Sequence, residues 1–246
     1  MKGTINSKVI QESYKKLAEV VTFNYPAVGW YFSSEDIDGS YHFKKDRWVC
    51  MFMYWKSLFT KKRRLQFDGN AGFACTGPPE YFGFNELEDD DGAFIAETER
   101  FKKNRHLARK YYQDSVGYIR PPKEAFLYAE CLDNIDQNRE IEVINLFPDP
   151  TGLANLSVLS YYDSETNMNS VMTPFASGCE GAFAIPFSEQ LSEKPKCVQG
   201  FMDSLVRRFL PKDMLLMSIP ANRFLEMVNN IDGSFLDKNF ENPTSF

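Results

Sequence analysis

Apolar side chains at Ile10, Tyr14, Leu17 and Val21 fall three and four residues apart. That spacing places them on one face of a helix, so residues 8–21 are predicted as an amphipathic helix. Residues 27–32 (AVGWYF) follow Pro26 as a short apolar run, predicted as a buried strand. Residues 48–59 (WVCMFMYWKSLF) are apolar on nearly all sides and long enough to predict a buried helix. A strand is expected at 64–67, a Gly/Pro loop at 68–79, and one charged helix over 94–113. Residues 125–132 and 142–147 read as strands. Asp149 then offers a side-chain acceptor to free N–H groups, and Pro150 suits a first helical position. With Leu153, Leu156, Leu159 and Tyr162 behind them, they mark a helix start. Residues 170–175 and 214–219 are further strands, and Pro220 opens a last helix that Gly233 closes.

Helices and strands alternate irregularly, with no internal repeat and no low-complexity linker. The expectation is one α+β domain over 1–246, a mixed β-sheet with helices packed on it. Its core spans about 8–232, and 234–246 form a polar, mobile tail.

Composition narrows the function classes. The 246 residues are 43% hydrophobic and 25% charged, as in a globular protein rather than a disordered one. A net charge of −6 argues against a nucleic-acid partner. No apolar stretch is long enough for a membrane span, and the N-terminus lacks a secretory pattern. Five cysteines, an odd number, then read as reduced thiols in the cytoplasm. The aromatic content permits a homodimer without demanding one.

Phosphate-binding, hydrolase and zinc-protease motifs are absent from the sequence. His42 and His106 sit among polar neighbours and read as surface histidines. The acidic run 86–91 and the basic run 61–64 read as solvated segments at helix ends. The cysteines differ by context. Cys131 lies inside a strand and reads as core. Cys75 lies in a Gly/Pro loop (FACTGPPEYFG), Cys179 in a second Gly loop (ASGCEG), and Cys197 shortly before Gly200. Cys50 lies near the start of the apolar segment 48–59. No CxxC pair is present, so the plain reading of these four is partly buried thiols.

The order of motifs resembles an uncharacterised family, domain-of-unknown-function family 169 (ArCR), of archaea and anaerobic bacteria. The motifs are PAVGWYF, WVCMFMYWKSLF, KKRRLQF, CTGPPEYFGF, EVINLFPDPTGLANL, SGCEGAFAIPF, KPKCVQG and DMLLMSIP. The likeness covers about residues 8–232. It implies a fold and recurring cysteines at the positions of Cys50, Cys75, Cys179 and Cys197, and it implies no reaction.

Three function classes stay open. In the first, a small-ligand or cofactor-binding module uses Cys75, Gly77, Gly178, Cys179, Cys197 and Gly200. Backbone N–H groups would hold an anion, and Tyr81, Phe82 and Phe183 would supply apolar walls. In the second, Cys50, Cys75, Cys179 and Cys197 ligate an iron–sulfur cluster or zinc. In the third, Cys75 or Cys179 is a nucleophile. The first two need the loops at 73–83 and 176–181 to be adjacent, and Cys197 is expected to face the same crevice.

Overall fold

The structure, a computed structural model, describes residues 5–44, 49–73, 77–88 and 91–239. The apolar run at 27–32 forms the middle of strand β1 (Phe23–Ser33). The run is apolar at successive positions because both faces of the strand are covered. Val28, Trp30 and Phe32 enter one core, while Ala27 and Tyr31 enter the other. Pro26 has no N–H to give to a ladder. It falls where the pairing of β1 with its neighbour shifts register, between Tyr25 and Val28.

Among the described residues the sheet has eight strands. Its order is β2 (Tyr41–His42), β3 (Leu65–Phe67), β4 (Phe126–Cys131), β1, β5 (Val143–Pro148), β8 (Met217–Pro220), β7 (Cys197–Gln199) and β6 (Val171–Met172). The central pairs are antiparallel, whereas β2 with β3 and β6 with β7 are parallel. This is the mixed α+β sheet that the sequence predicts.

One face of the sheet is covered by α1 (Ser7–Ala18), α5 (Pro150–Tyr161) and α8 (Ala221–Asn229), through residues such as Ile10, Leu156 and Phe224. Asn6 caps the first helix and Asp149 caps α5, accepting from Gly152 N at 2.6 Å. The other face is covered by a 3-10 turn (Met51–Met53), α2 (Trp55–Lys61) and α6 (Ile185–Glu189). Trp30, Trp55, Phe67 and Phe183 form the aromatic centre of that layer. The short helices α3 (Pro78–Tyr81) and α7 (Ser204–Arg207), with α4 (Arg105–Val116), complete the fold.

Several elements differ from expectation. The segment 48–59 is not one helix: the 3-10 turn and α2 divide its described part, and Trp48 lies outside the described residues. The helix expected over 94–113 breaks as well. A π-helical turn (Phe94–Thr98) ends at Glu99, Arg100 takes a left-handed φ of 58°, and α4 starts afresh behind its cap, Asn104. Asn104 Oδ1 accepts from Leu107 N at 3.0 Å, a local bond that competes with a continuous helix. Strand 170–175 shrinks to Val171–Met172. The C-terminal segment also differs as far as it is described. Ser234 is buried, Leu236 packs on the helical layer, and Lys238 pairs with Glu19 at 2.7 Å.

Candidate functional site

The loop around Cys179 is built by a capping box. Ser177 Oγ accepts from Glu180 N at 3.2 Å, and Glu180 Oε2 accepts from Ser177 N at 2.8 Å. Residues 178–189 then run helically, with a π-helical turn (Glu180–Ala184) leading into α6. The π turn is tied to the sheet by one buried side chain. Asn145 of β5 donates from Nδ2 to Ala182 O at 2.9 Å and to Ser218 Oγ at 2.9 Å, and accepts from Trp30 Nε1 at 2.7 Å. A π turn shifts the backbone pairing and leaves a carbonyl for such a partner.

The Glu180 carboxylate is only 2% exposed. Tyr111 of α4 donates its hydroxyl to Glu180 Oε2 at 2.6 Å, and Tyr81 of α3 lies next to Tyr111. Burial, then the Glu180 charge, pushes the hydroxyls of both tyrosines above their ordinary range. The chain Tyr81–Tyr111–Glu180 therefore joins three segments: α3, α4 and the loop at 176–181.

Between these segments lies a crevice of about 50 Å³, lined by Cys50, Tyr81, Glu99, Tyr112, Cys179 and Asp203 and walled by Phe94, Phe101 and Phe175. The break after the π turn at Phe94–Thr98 is what turns Ile95, Glu99 and Phe101 onto it. Asp203 caps α7, with Oδ1 accepting from Leu205 N at 2.8 Å, and is 8% exposed. Burial raises the Glu99 carboxyl to about 7, and the charge of Asp203 adds to the rise. Burial also raises the Cys50 thiol above its usual value. Cys179 Sγ lies 3.5 Å from Met51 Sδ at the inner wall.

The residues singled out in the sequence separate into groups. Cys50, Gly178 and Cys179 line the crevice. Gly77 starts α3, whose Tyr81 also lines it, and Gly77 N donates to Glu80 Oε2 at 3.0 Å. Gly178 is needed for packing: a Cβ there would stand 2.5 Å from the Phe52 ring. Gly200 lies behind the crevice, its Cα within 3.4 Å of where a Cβ on Gly181 would be. The close backbone approach allowed by glycine is thus made between two segments of the chain. Cys75 lies outside the described residues.

Cys197 is a correction. It does not face the crevice: alternate residues of a strand point to opposite faces, and Cys197 points into the layer of α5 and α8. There it is fully buried beside Ser160 Oγ (3.4 Å) and Met227 Sδ (3.5 Å). A ligand set that joins Cys197 to Cys179 is therefore not formed in this fold. Among the described residues, no three His, Cys, Asp or Glu side chains are grouped to hold a metal ion. Phe82 and Phe183 are likewise core residues under Trp30 rather than crevice walls. Three N–H groups of these loops are occupied within the chain: those of Gly77, Ser177 and Glu180 bond to the side chains of Glu80, Glu180 and Ser177. Glu99 and Asp203 were not singled out in the sequence. Asp203 carried a signal there, as a capping residue ahead of Leu205 and Val206.

A larger recess, about 530 Å³, opens beside Arg223 between the polar segments 163–170 and 193–196. Its buried guanidinium is satisfied within the chain: Arg223 donates to Asp163 at 2.6 and 2.8 Å, to Glu226 at 3.0 Å and to Ser160 O at 2.8 Å. Volume alone does not make it the site.

One mixed sheet with helices on both faces, and a crevice of thiol, carboxyl and aromatic groups at its connecting segments, define an α+β protein with a candidate site beside the sheet. The chain belongs to domain-of-unknown-function family 169, described as uncharacterised ArCR, whose model matches residues 16–230. No curated protein and no solved structure matches it. Among the described residues, no helix is long and apolar enough to cross a membrane.

Proposed function

We propose that this protein binds a small organic molecule in the crevice between α3, the segment 94–101 and the loop at 176–181. The observation behind this reading is the pair of carboxylates. Glu99 and Asp203 face one cavity, and no hydrogen-bond donor of the described residues reaches the Glu99 carboxylate. Glu99 is half-buried, and partial loss of water without a partner disfavours its ionised form. A carboxylate without a partner, facing a cavity with apolar walls beside a second carboxylate, is a mark of a binding site. The same proposal places the protein in the reducing cytoplasm, where Cys50 and Cys197 stay thiols. It assigns no catalytic step.

The test is a thermal-shift screen of small metabolites on the wild-type chain and on Cys50→Phe, whose ring fills the crevice. A compound bound there raises the melting temperature of the wild type and leaves Cys50→Phe unmoved. Compounds that shift both proteins equally bind elsewhere, and a screen containing only such compounds overturns the reading.

A further inference from the structure

The groups around the crevice say which chemistry fits it. It presents two carboxyl groups, with Glu99 ionised above about pH 7, and its walls are ring faces. Carboxylates and ring faces share one preference, for an organic cation. The molecule already shows that preference next door. Phe175 separates the crevice from a second recess of about 410 Å³, lined by Lys102, Tyr111, Asp114, Tyr118, Phe175 and Glu180. There the Lys102 ammonium sits 5.1 Å from the centre of the Phe175 ring and 5.6 Å from that of Tyr111. Phe101 closes on Phe175 from the crevice side, with ring centres 5.3 Å apart.

We propose that the crevice takes the ammonium end of a small organic amine, with Glu99 and Asp203 as its counter-charges, and that the recess beyond Phe175 takes the rest of the molecule once Lys102 swings aside. The inference rests on the reading that the crevice binds a small molecule, and goes further by naming the class. The sizes agree. A cavity of about 50 Å³ holds about four water-sized groups, enough for an ammonium and one or two carbons. Anything longer must pass Phe175, whose side chain is 40% exposed and borders both spaces. Two carboxylates would repel an anion, and a neutral molecule would leave their charge unmet.

The probe is ethylammonium chloride, with ethanol and sodium acetate as neutral and anionic counterparts, followed by saturation-transfer NMR on the full chain at pH 8. Three non-hydrogen atoms set the expected Kd at about 1 mM. Ethanol and acetate should bind at least ~10-fold more weakly, because neither offers a charge-assisted hydrogen bond. Glu99→Gln, which keeps shape and removes charge, should weaken ethylammonium ~10-fold. Lys102→Met, which removes a competing cation without touching the crevice, should tighten it severalfold. The affinity of the wild type should fall by about tenfold from pH 8 to pH 6 as Glu99 takes up its proton. The other titratable and charged groups facing Glu99 are Asp203, Cys50, Cys179, Tyr81 and Tyr112 in the crevice, with Lys102 outside it.

Ethylammonium binding no tighter than ethanol, or unchanged in Glu99→Gln, overturns the amine assignment. If Glu99→Gln does not fold, the pH profile and Lys102→Met decide instead, and a flat profile with unchanged affinity in Lys102→Met overturns it equally. Acetate or ethanol binding that is lost in Cys50→Phe would overturn the amine class and leave the crevice as a small-molecule site. Failure of all three probes, together with a screen that finds no crevice-dependent compound, would remove both.

Discussion

Replacing Asn145 by leucine tests how the crevice is held in place. The side chain is fully buried and makes three hydrogen bonds, with Trp30 Nε1 at 2.7 Å, Ala182 O at 2.9 Å and Ser218 Oγ at 2.9 Å. Leucine has a similar volume and none of the polar atoms. It strands an indole N–H and a backbone carbonyl in the core, while the Ser218 hydroxyl can rotate to another acceptor. Each stranded group costs about 1–3 kcal/mol, so the loss should be about 3–5 kcal/mol. That is a large share of the 5–15 kcal/mol by which domains are ordinarily stable, and in a chain of this size it lowers Tm by about 10 °C or more. Urea unfolding followed by tryptophan fluorescence would measure it, with an unchanged m-value showing that only stability moved. Ser218→Ala is the control, because it removes one partner and leaves Asn145 two, for about 1 kcal/mol. Because Ala182 sits in the turn that follows Cys179, Asn145→Leu should also weaken any compound bound in the crevice. A loss below 1 kcal/mol, or one equal to that of Ser218→Ala, would refute the role given to this residue.

Three further outcomes are expected. Glu99 has a raised folded-state pKa of about 7 against an ordinary 4.5, so folding disfavours its ionised form. Its contribution is therefore neutral below pH 4.5 and increasingly unfavourable up to about pH 7, and Glu99→Gln should stabilise the unliganded protein at pH 8 but not at pH 4, by urea midpoints at both values. Asp163 runs the other way. Hydrogen bonds from Arg223 and Asn230 hold its carboxyl below the usual 3.8, so its stabilisation is present above that value and lost as pH falls through the lowered one. Asp163→Asn should thus cost stability at pH 6 and flatten the decline below pH 4, as read by thermal melts. Gly178→Ala should cost about 1–3 kcal/mol, since its Cβ would stand 2.5 Å from Phe52 and 2.9 Å from Val206, and a urea midpoint equal to the wild type would contradict that packing.

The sheet was legible in the sequence where burial on both faces makes a strand continuously apolar. Residues 27–32, 125–132 and 142–147 became β1, β4 and β5, its central strands. The start of α5 was legible because Asp149 and Pro150 act through local bonds only. What periodicity missed were the breaks. Residues 94–113 carry charge at nearly every turn, and a weak apolar stripe cannot show that the helix breaks between Thr98 and Arg105. The capping signal at Asn104 was present but is one residue against a run of good helix formers. The two-residue edge strands β2 and β6 depend on their partners rather than on their own pattern.

The same distinction governs the site. The glycines and cysteines stood out in the sequence by composition, and most of those the structure describes do gather: Cys50, Gly178 and Cys179 line one crevice, with Gly77 at the start of one bordering helix and Gly200 behind it. Yet the glycines are there for packing and turns, and the two groups that give the crevice its charge, Glu99 and Asp203, are ordinary residues in sequence. Their meaning comes from placement. Glu99 follows a helix that ends early, and Asp203 begins one of four residues, so neither can be found by spacing along the chain. Cys197 shows the converse: its neighbours Lys196 and Gly200 made it look like a loop residue, and the alternation of β7 sent its sulfur through the sheet. Within one strand, a single step in register decides between the crevice layer and the helical layer, and so decides which cysteines can meet.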